Sequence, residues 1–142
     1  MEKGQWCIVY VSSATKELTS DYLAEVIETT RHYRRAHNNS GLTILSHQNL
    51  LVTIEGTQES VLAEYQLAKM HPFHHSVIKL YEGPVPHRFF EDYILAFKII
   101  APENFKDLDN FKTPGKKEYL EEFLNLANPV STIVANFIRN NT

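Results

Sequence analysis

Two short apolar runs flanking a polar break constrain this chain more than any other part of it. From Gly41 to Gly56 the sequence reads GLTILSHQNLLVTIEG. Leu42, Ile44 and Leu45 before the break, and Leu50, Leu51, Val52 and Ile54 after it, are the aliphatic and β-branched residues that fill central strands. The four polar residues Ser46-His47-Gln48-Asn49 between them suit a hairpin loop, so the stretch predicts the central hairpin of an open sheet. It closes on Glu55-Gly56-Thr57, where glycine frees the backbone to turn and Thr57 can accept from amides two or three residues on. A helix is therefore expected from Gln58.

The remaining elements follow from changes of period. Gln5 to Val11 alternates Trp6, Ile8 and Tyr10 with Cys7, Val9 and Val11, which describes a strand covered on both faces. After the polar Ser12-Ser13-Ala14-Thr15, apolar spacing becomes helical: Leu23, Val26, Ile27 and Thr30 share one face. Thr19 or Ser20 can cap that helix, Asp21 suits its positive end, and Arg31-His32-Tyr33-Arg34-Arg35 suits its carboxyl end. The second helix places Val61, Leu62, Tyr65 and Ala68 inward, and Pro72 stops it. Val77 to Tyr81 reads as a fourth strand, Glu82-Gly83-Pro84-Val85-Pro86 as a rigid loop, and Tyr93 to Ile100 as a fifth, strongly apolar strand.

This order is a split βαβ arrangement with one strand added, an α+β, ferredoxin-like fold with a five-stranded mixed sheet and two helices on one face. The tail offers two amphipathic helices, around Tyr119, Leu120, Phe123, Leu124 and Leu126, and, after an Asn128-Pro129 cap, through Val130, Ile133, Val134, Phe137 and Ile138. They are expected either to cover the sheet face bearing Cys7, Val9 and Val11 or to serve self-association. The domain reading is a core over residues 1–100 and a helical extension over 101–142.

At 142 residues, with 43% hydrophobic and 22% charged side chains, the chain has a globular composition large enough for one core. A formal charge of −3 gives no basic footprint for nucleic acid. No apolar run approaches a membrane helix, and with no secretory signal and a single cysteine, a cytoplasmic setting is expected. No nucleophile elbow, phosphate loop or metalloprotease pattern occurs, which makes an enzyme the weakest class. His71, His74 and His75 lack a nearby cysteine or carboxylate and are expected to be structural or surface residues rather than metal ligands. Cys7 reads as a small buried hydrophobe. Arg34 could accept an anionic ligand, although a basic helix end is more often solvated. Glu17, Glu25, Glu28, Glu59 and Glu64 read as helix-surface carboxylates with no pairing for acid–base work.

Several of these residues together resemble the BLUF domain, a blue-light sensor that uses FAD. They are Ile8-Val9-Tyr10-Val11-Ser12, Ser40-Gly41-Leu42, Leu50-Leu51, Ile54-Glu55-Gly56, His74-His75 and Arg88-Phe89-Phe90-Glu91-Asp92. The resemblance spans about residues 4 to 100 and implies a flavin inserted between the two helices that begin near Thr19 and Thr57. Tyr10 matches the family's photoactive tyrosine, and Val26 and Ile27 match the aliphatic residues that flank the ring.

Other positions depart from the pattern. The family's glutamine, which links the tyrosine to flavin N5 and O4, falls on Val52, which has neither donor nor acceptor. Its paired asparagines fall on Tyr33 and Arg34, the basic residues near the FAD tail on Leu67 and Phe73, and the Trp-Ser-Met element on Tyr93-Ile94-Leu95. The expectation is a flavin pocket refilled by side chains, with Tyr33 occupying the ring's space if it turns inward. It follows that no cofactor is expected, FAD being the one the family implies. The function expected is a regulatory module acting through a protein partner or a second copy. A photoreceptor with FAD held in an altered mode, using Tyr10 as electron donor, is the alternative, and a small-ligand binder or enzyme in the cleft near Arg34 and Tyr10 is a third reading.

Overall fold

The computed structural model describes residues 5–14, 19–46, 48–71, 74–91, 94–99 and 128–140. Its elements are β1 (Gln5–Ala14), α1 (Ser20–His37), β2 (Leu42–Ser46), β3 (Asn49–Gly56), α2 (Gln58–Met70), β4 (His74–Val85), β5 (Ala96–Ile99) and α3 (Pro129–Asn140). The strands lie in the order β4-β1-β3-β2-β5. The first four pair antiparallel, and β5 adds parallel to β2, with Leu42 beside Ala96 and Leu45 beside Ile99.

Both helix starts are set by the expected threonines. Thr19 Oγ1 accepts from the Tyr22 amide at 3.1 Å and Thr57 Oγ1 from the Ser60 amide at 3.2 Å, each cap contributing about 1 kcal/mol. Helix α1 ends where Asn38 enters the left-handed region (φ 57°) and its amide reaches back to the Arg34 carbonyl. Asparagine tolerates that conformation better than most residues with a side chain.

Strand alternation gives the sheet two apolar faces. Ile8 and Tyr10 of β1, with Leu50, Val52 and Ile54 of β3, face Leu23 and Ile27 of α1 and Val61 and Tyr65 of α2. Cys7 and Val9, with Leu42, Ile44 and Leu51, face Phe90 and the α3 residues Val130 and Val134. Burying each Leu, Ile or Val contributes about 1.5–3 kcal/mol. Asn128 caps α3, its Oδ1 accepting from the Ser131 amide at 2.9 Å. The helix expected over residues 119–126 lies outside the described residues, as do Tyr93 and Ile100 at the ends of the expected fifth strand.

Several boundaries differ from expectation: β1 runs on to Ala14 through residues read as a polar loop, and β4 starts at His74, before the expected Val77. The β2–β3 ladder includes the Ser46–Asn49 pair, which narrows the four-residue break to positions 47 and 48. Strand β4 runs on through the stretch expected to be a rigid loop, pairing Gly83 with Cys7, Pro84 with Trp6 and Val85 with Gln5. Proline fits there because β4 is an edge strand, where a missing amide leaves no ladder partner wanting. Register shifts between Val9 and Tyr10 and between Val11 and Ser13 accompany a left-handed Ser76 (φ 54°).

Candidate functional site

The two helices on the first face stand apart over the middle of the sheet and leave a cavity of about 340 Å³ between them. Tyr10, Leu50, Val52 and Thr43 form its floor. Leu23, Val26, Ile27, Thr30 and Tyr33 of α1 form one wall, and Leu67, Ala68 and His71 of α2 the other. Leu95 closes one side, and Arg34 and Glu64 complete the lining. The volume is at the small end of the range for small-molecule sites.

The refilled pocket expected from sequence is thus not what the structure has. Tyr33 does not fill the space: its ring stacks on His37 with centroids 4.0 Å apart, while His37 Nδ1 hydrogen-bonds the Tyr33 carbonyl oxygen at 2.8 Å. An i, i+4 partner holds the side chain along its own helix and leaves the cavity open.

Arg34 is the second correction. Far from being a solvated helix end, it is fully buried, and so is most of Glu64. Arg34 Nε donates to Glu64 Oε2 at 3.0 Å, Nη1 to the Ile94 carbonyl at 3.1 Å and Nη2 to the Thr53 carbonyl at 3.3 Å. Glu64 Oε1 accepts from Asn39 Nδ2 at 3.0 Å. The arginine therefore ties α1 to α2, to β3 and to the segment before β5. Asn39 Oδ1 has no partner among the described residues. Its amide is turned to give Glu64 a donor, which leaves the oxygen against Gly56, where a Cβ would sit 2.4 Å away.

The sequence carried a signal for both residues. Glu64 follows Val61 by three and precedes Tyr65 by one, so it lies on the inner stripe of α2. Arg34 extends the stripe of Leu23, Ile27 and Thr30 by one more turn. A carboxylate and a guanidinium on two facing apolar stripes are complementary.

Tyr10 is buried on the cavity floor, directly opposite Val52 in the β1–β3 register, with Val52 in turn beside Thr43 of β2. The Tyr10 ring also meets Tyr65 with centroids 5.5 Å apart. Burial first, and then the Glu64 charge, push the Tyr10 hydroxyl well above its ordinary range, with Arg34 partly offsetting them. It stays protonated at any physiological pH. Val26, Ile27 and Leu95 line the cavity as apolar wall, and Leu67 sits at its lip, 52% exposed. Phe73 lies outside the described residues. No three His, Cys, Asp or Glu residues among the described ones could hold a metal ion together, and no described helix is long and apolar enough to cross a membrane.

A second polar centre joins β3 to the far face. Glu55, also buried, accepts from the amides of Phe89 at 2.8 Å and Phe90 at 2.5 Å and from Ser40 Oγ at 3.1 Å. Burial raises its pKa, while those hydrogen bonds and the Arg88 charge pull it back down. Phe90 then packs beside Val130 and Val134 of α3. The strand that floors the cavity thus also holds the loop on which α3 rests.

A family model described as "Sensors of blue-light using FAD" matches residues 6–96. This chain belongs to the BLUF family. Solved structures agree on the fold: BlrB, a BLUF protein in its dark state, shares 18% identity and a TM-score of 0.68 over 98% of this chain and 96% of its own. BlrP1 of Klebsiella pneumoniae, in a manganese and cyclic-di-GMP complex, shares 17% identity and a TM-score of 0.73. A bacterial light-regulated adenylyl cyclase shares 12% identity and a TM-score of 0.65. The chain spans about a third of those last two proteins, 33% and 34%. No curated protein matches the sequence significantly.

There is space between the helices; by the resemblance read from the sequence, flavin N5 and O4 would face Val52, and Tyr33 and Arg34 would stand in place of the two asparagines. Leaving such polar groups facing aliphatic carbon costs roughly 1–3 kcal/mol each.

Proposed function

We infer that this chain is a regulatory BLUF-fold module that works without the family's flavin photocycle and acts through a protein partner or a second copy of itself. The observation that carries this reading is the pairing of Tyr10 with Val52 across β1 and β3. A tyrosine opposite a side chain with no donor or acceptor has no relay to a flavin, whatever else occupies the cavity. Arg34 supports the reading, because its guanidinium is bonded to Glu64 and two backbone carbonyls rather than offered to a ligand.

An output route is built in. β3 carries Val52 on the cavity floor and Glu55 under the Phe89–Phe90 amides, and Phe90 supports α3. A change in the cavity that shifts β3 would reach α3, the helix packed on the opposite face of the sheet. Apolar side chains at the surface, Met70 on α2 and Ile78 and Leu80 on β4, offer contact area for a protein partner.

The open cavity favours a second reading, a photoreceptor with FAD in an altered mode. An absorption spectrum of the purified protein, before and after blue light and with added FAD, separates the two. A colourless protein that stays colourless is the expected result. A stoichiometric flavin band overturns the proposal, and a light-induced red shift of that band establishes the second reading.

A further inference from the structure

The buried ion pair shows the cavity only one of its two ends. The Glu64 side chain is 11% accessible and that of Arg34 0%, although both border the same space. The carboxylate end of the pair is thus the end a ligand can reach. Each Glu64 oxygen has one partner among the described residues, Asn39 Nδ2 on Oε1 and Arg34 Nε on Oε2. A carboxylate oxygen offers two acceptor sites, so the pair keeps acceptor capacity that no described residue uses.

Charge then narrows the ligand. Arg34 already balances Glu64 at 3.0 Å, so a ligand cation would lie near an arginine and a ligand anion beside a carboxylate, both in an apolar enclosure. A neutral donor meets neither penalty. The rest of the lining is mostly apolar, with Leu50 and Val52 on the floor and Val26, Ile27 and half-exposed Leu67 on the walls, while Tyr10, Thr30, Thr43, Tyr33 and His71 add neutral or titratable polar atoms among them.

From this we propose that the α1–α2 cavity binds a neutral, largely apolar aromatic molecule that carries one hydrogen-bond donor, of the phenol or indole class, and that the donor is received by Glu64. The site takes a bicyclic ring system and selects it for an O–H or N–H group. The proposal rests on the reading above that no flavin fills the cavity.

The test uses the full chain and three probes of nearly equal shape: 2-naphthol, a neutral donor; 2-methoxynaphthalene, which has only an acceptor; and 2-naphthoate, an anion. Calorimetric titration at neutral pH is expected to show 2-naphthol bound with one-to-one stoichiometry, at least tenfold tighter than either of the others. Ala68→Trp, which places an indole into the cavity from α2, is expected to weaken 2-naphthol at least tenfold while leaving the circular dichroism spectrum unchanged. Equal affinity for 2-naphthol and 2-methoxynaphthalene, a preference for 2-naphthoate, or no binding to a colourless protein overturns the proposal. A yellow protein that releases flavin on denaturation overturns instead the reading on which it rests.

Discussion

Replacing Glu64 with alanine tests the central interaction of the site. Arg34 is fully buried and Glu64 supplies its only charged partner among the described residues. Truncating Glu64 leaves a guanidinium held by two carbonyls in a low-dielectric setting and takes from Asn39 Nδ2 the shorter of its two hydrogen bonds, the other going to the Ser60 carbonyl. Removing one partner of a buried pair costs about 3–5 kcal/mol, most of it the penalty on the charge left behind. For a domain stable by roughly 5–15 kcal/mol this is a large fraction. With a urea m-value of about 2 kcal/mol/M, the unfolding midpoint should fall by about 2 M. The assay is urea denaturation of wild type, Glu64→Ala, Glu64→Gln and the double variant Arg34→Met with Glu64→Met. Glu64→Gln keeps an acceptor and should lose less than alanine. The double variant removes both charges, and should lie within about 1 kcal/mol of wild type or above it, since well-packed apolar side chains replace such pairs without loss. A cost below about 1 kcal/mol for Glu64→Ala is what a screened surface pair would show, and it would refute the burial on which the argument stands.

Other perturbations have equally definite outcomes. Gly41→Ala should cost at least about 3 kcal/mol by thermal or urea unfolding, because its Cβ would lie 2.0 Å from the Thr53 carbonyl oxygen. Gly83→Ala meets the end of the Tyr81 side chain, its hydroxyl at 3.0 Å and Cζ at 3.3 Å, and should cost no more than about 1.5 kcal/mol. Glu55 holds its proton to a higher pH in the folded state than its ordinary value of 4.5. Between those two values the folded form binds more protons than the unfolded, so stability falls as pH rises through that window. Glu55→Gln should remove that component of a stability-versus-pH curve, and an unchanged slope would contradict it. The Cys7 thiol is fully buried and pushed upward first by burial and then by the Glu55 charge. A thiol reagent at neutral pH should therefore label it only as fast as the protein opens, and complete labelling within minutes without denaturant would contradict this burial.

Local chemistry made much of the fold legible. The threonines at 19 and 57 cap helices because a short hydroxyl side chain can do little else for an exposed amide at a helix start, and that reading needs only neighbouring residues. The faces of β1 and β3 likewise follow from period two. The site was harder, because its decisive residue pair joins α1 to α2 across 30 positions of sequence. Judged alone, Arg34 is a cation at a helix carboxyl end and Glu64 one of several glutamates, and both look solvated. Only their places on the two inner stripes give them away. The filled pocket was inferred from side-chain volume at Tyr33, but direction decided the matter: the ring lies along α1 against His37. The fourth strand is expected to end at Tyr81 because Gly83-Pro84 just beyond it punctuate most sequences; at a sheet edge the missing amide is no obstacle.

That same edge limits how the molecule can assemble. A flat, regular outer strand is a template on which another chain can add a strand of its own. Here β4 is kinked at two register shifts, holds Ser76 in the left-handed region and has no amide to give at Pro84. The opposite end of the sheet is β5, four residues long among those described. Over the described residues, neither border presents a long regular ladder. A partner must therefore recognise side chains on a helix or a sheet face, which makes association sensitive to single substitutions there and spares the protein from growing into fibres edge to edge.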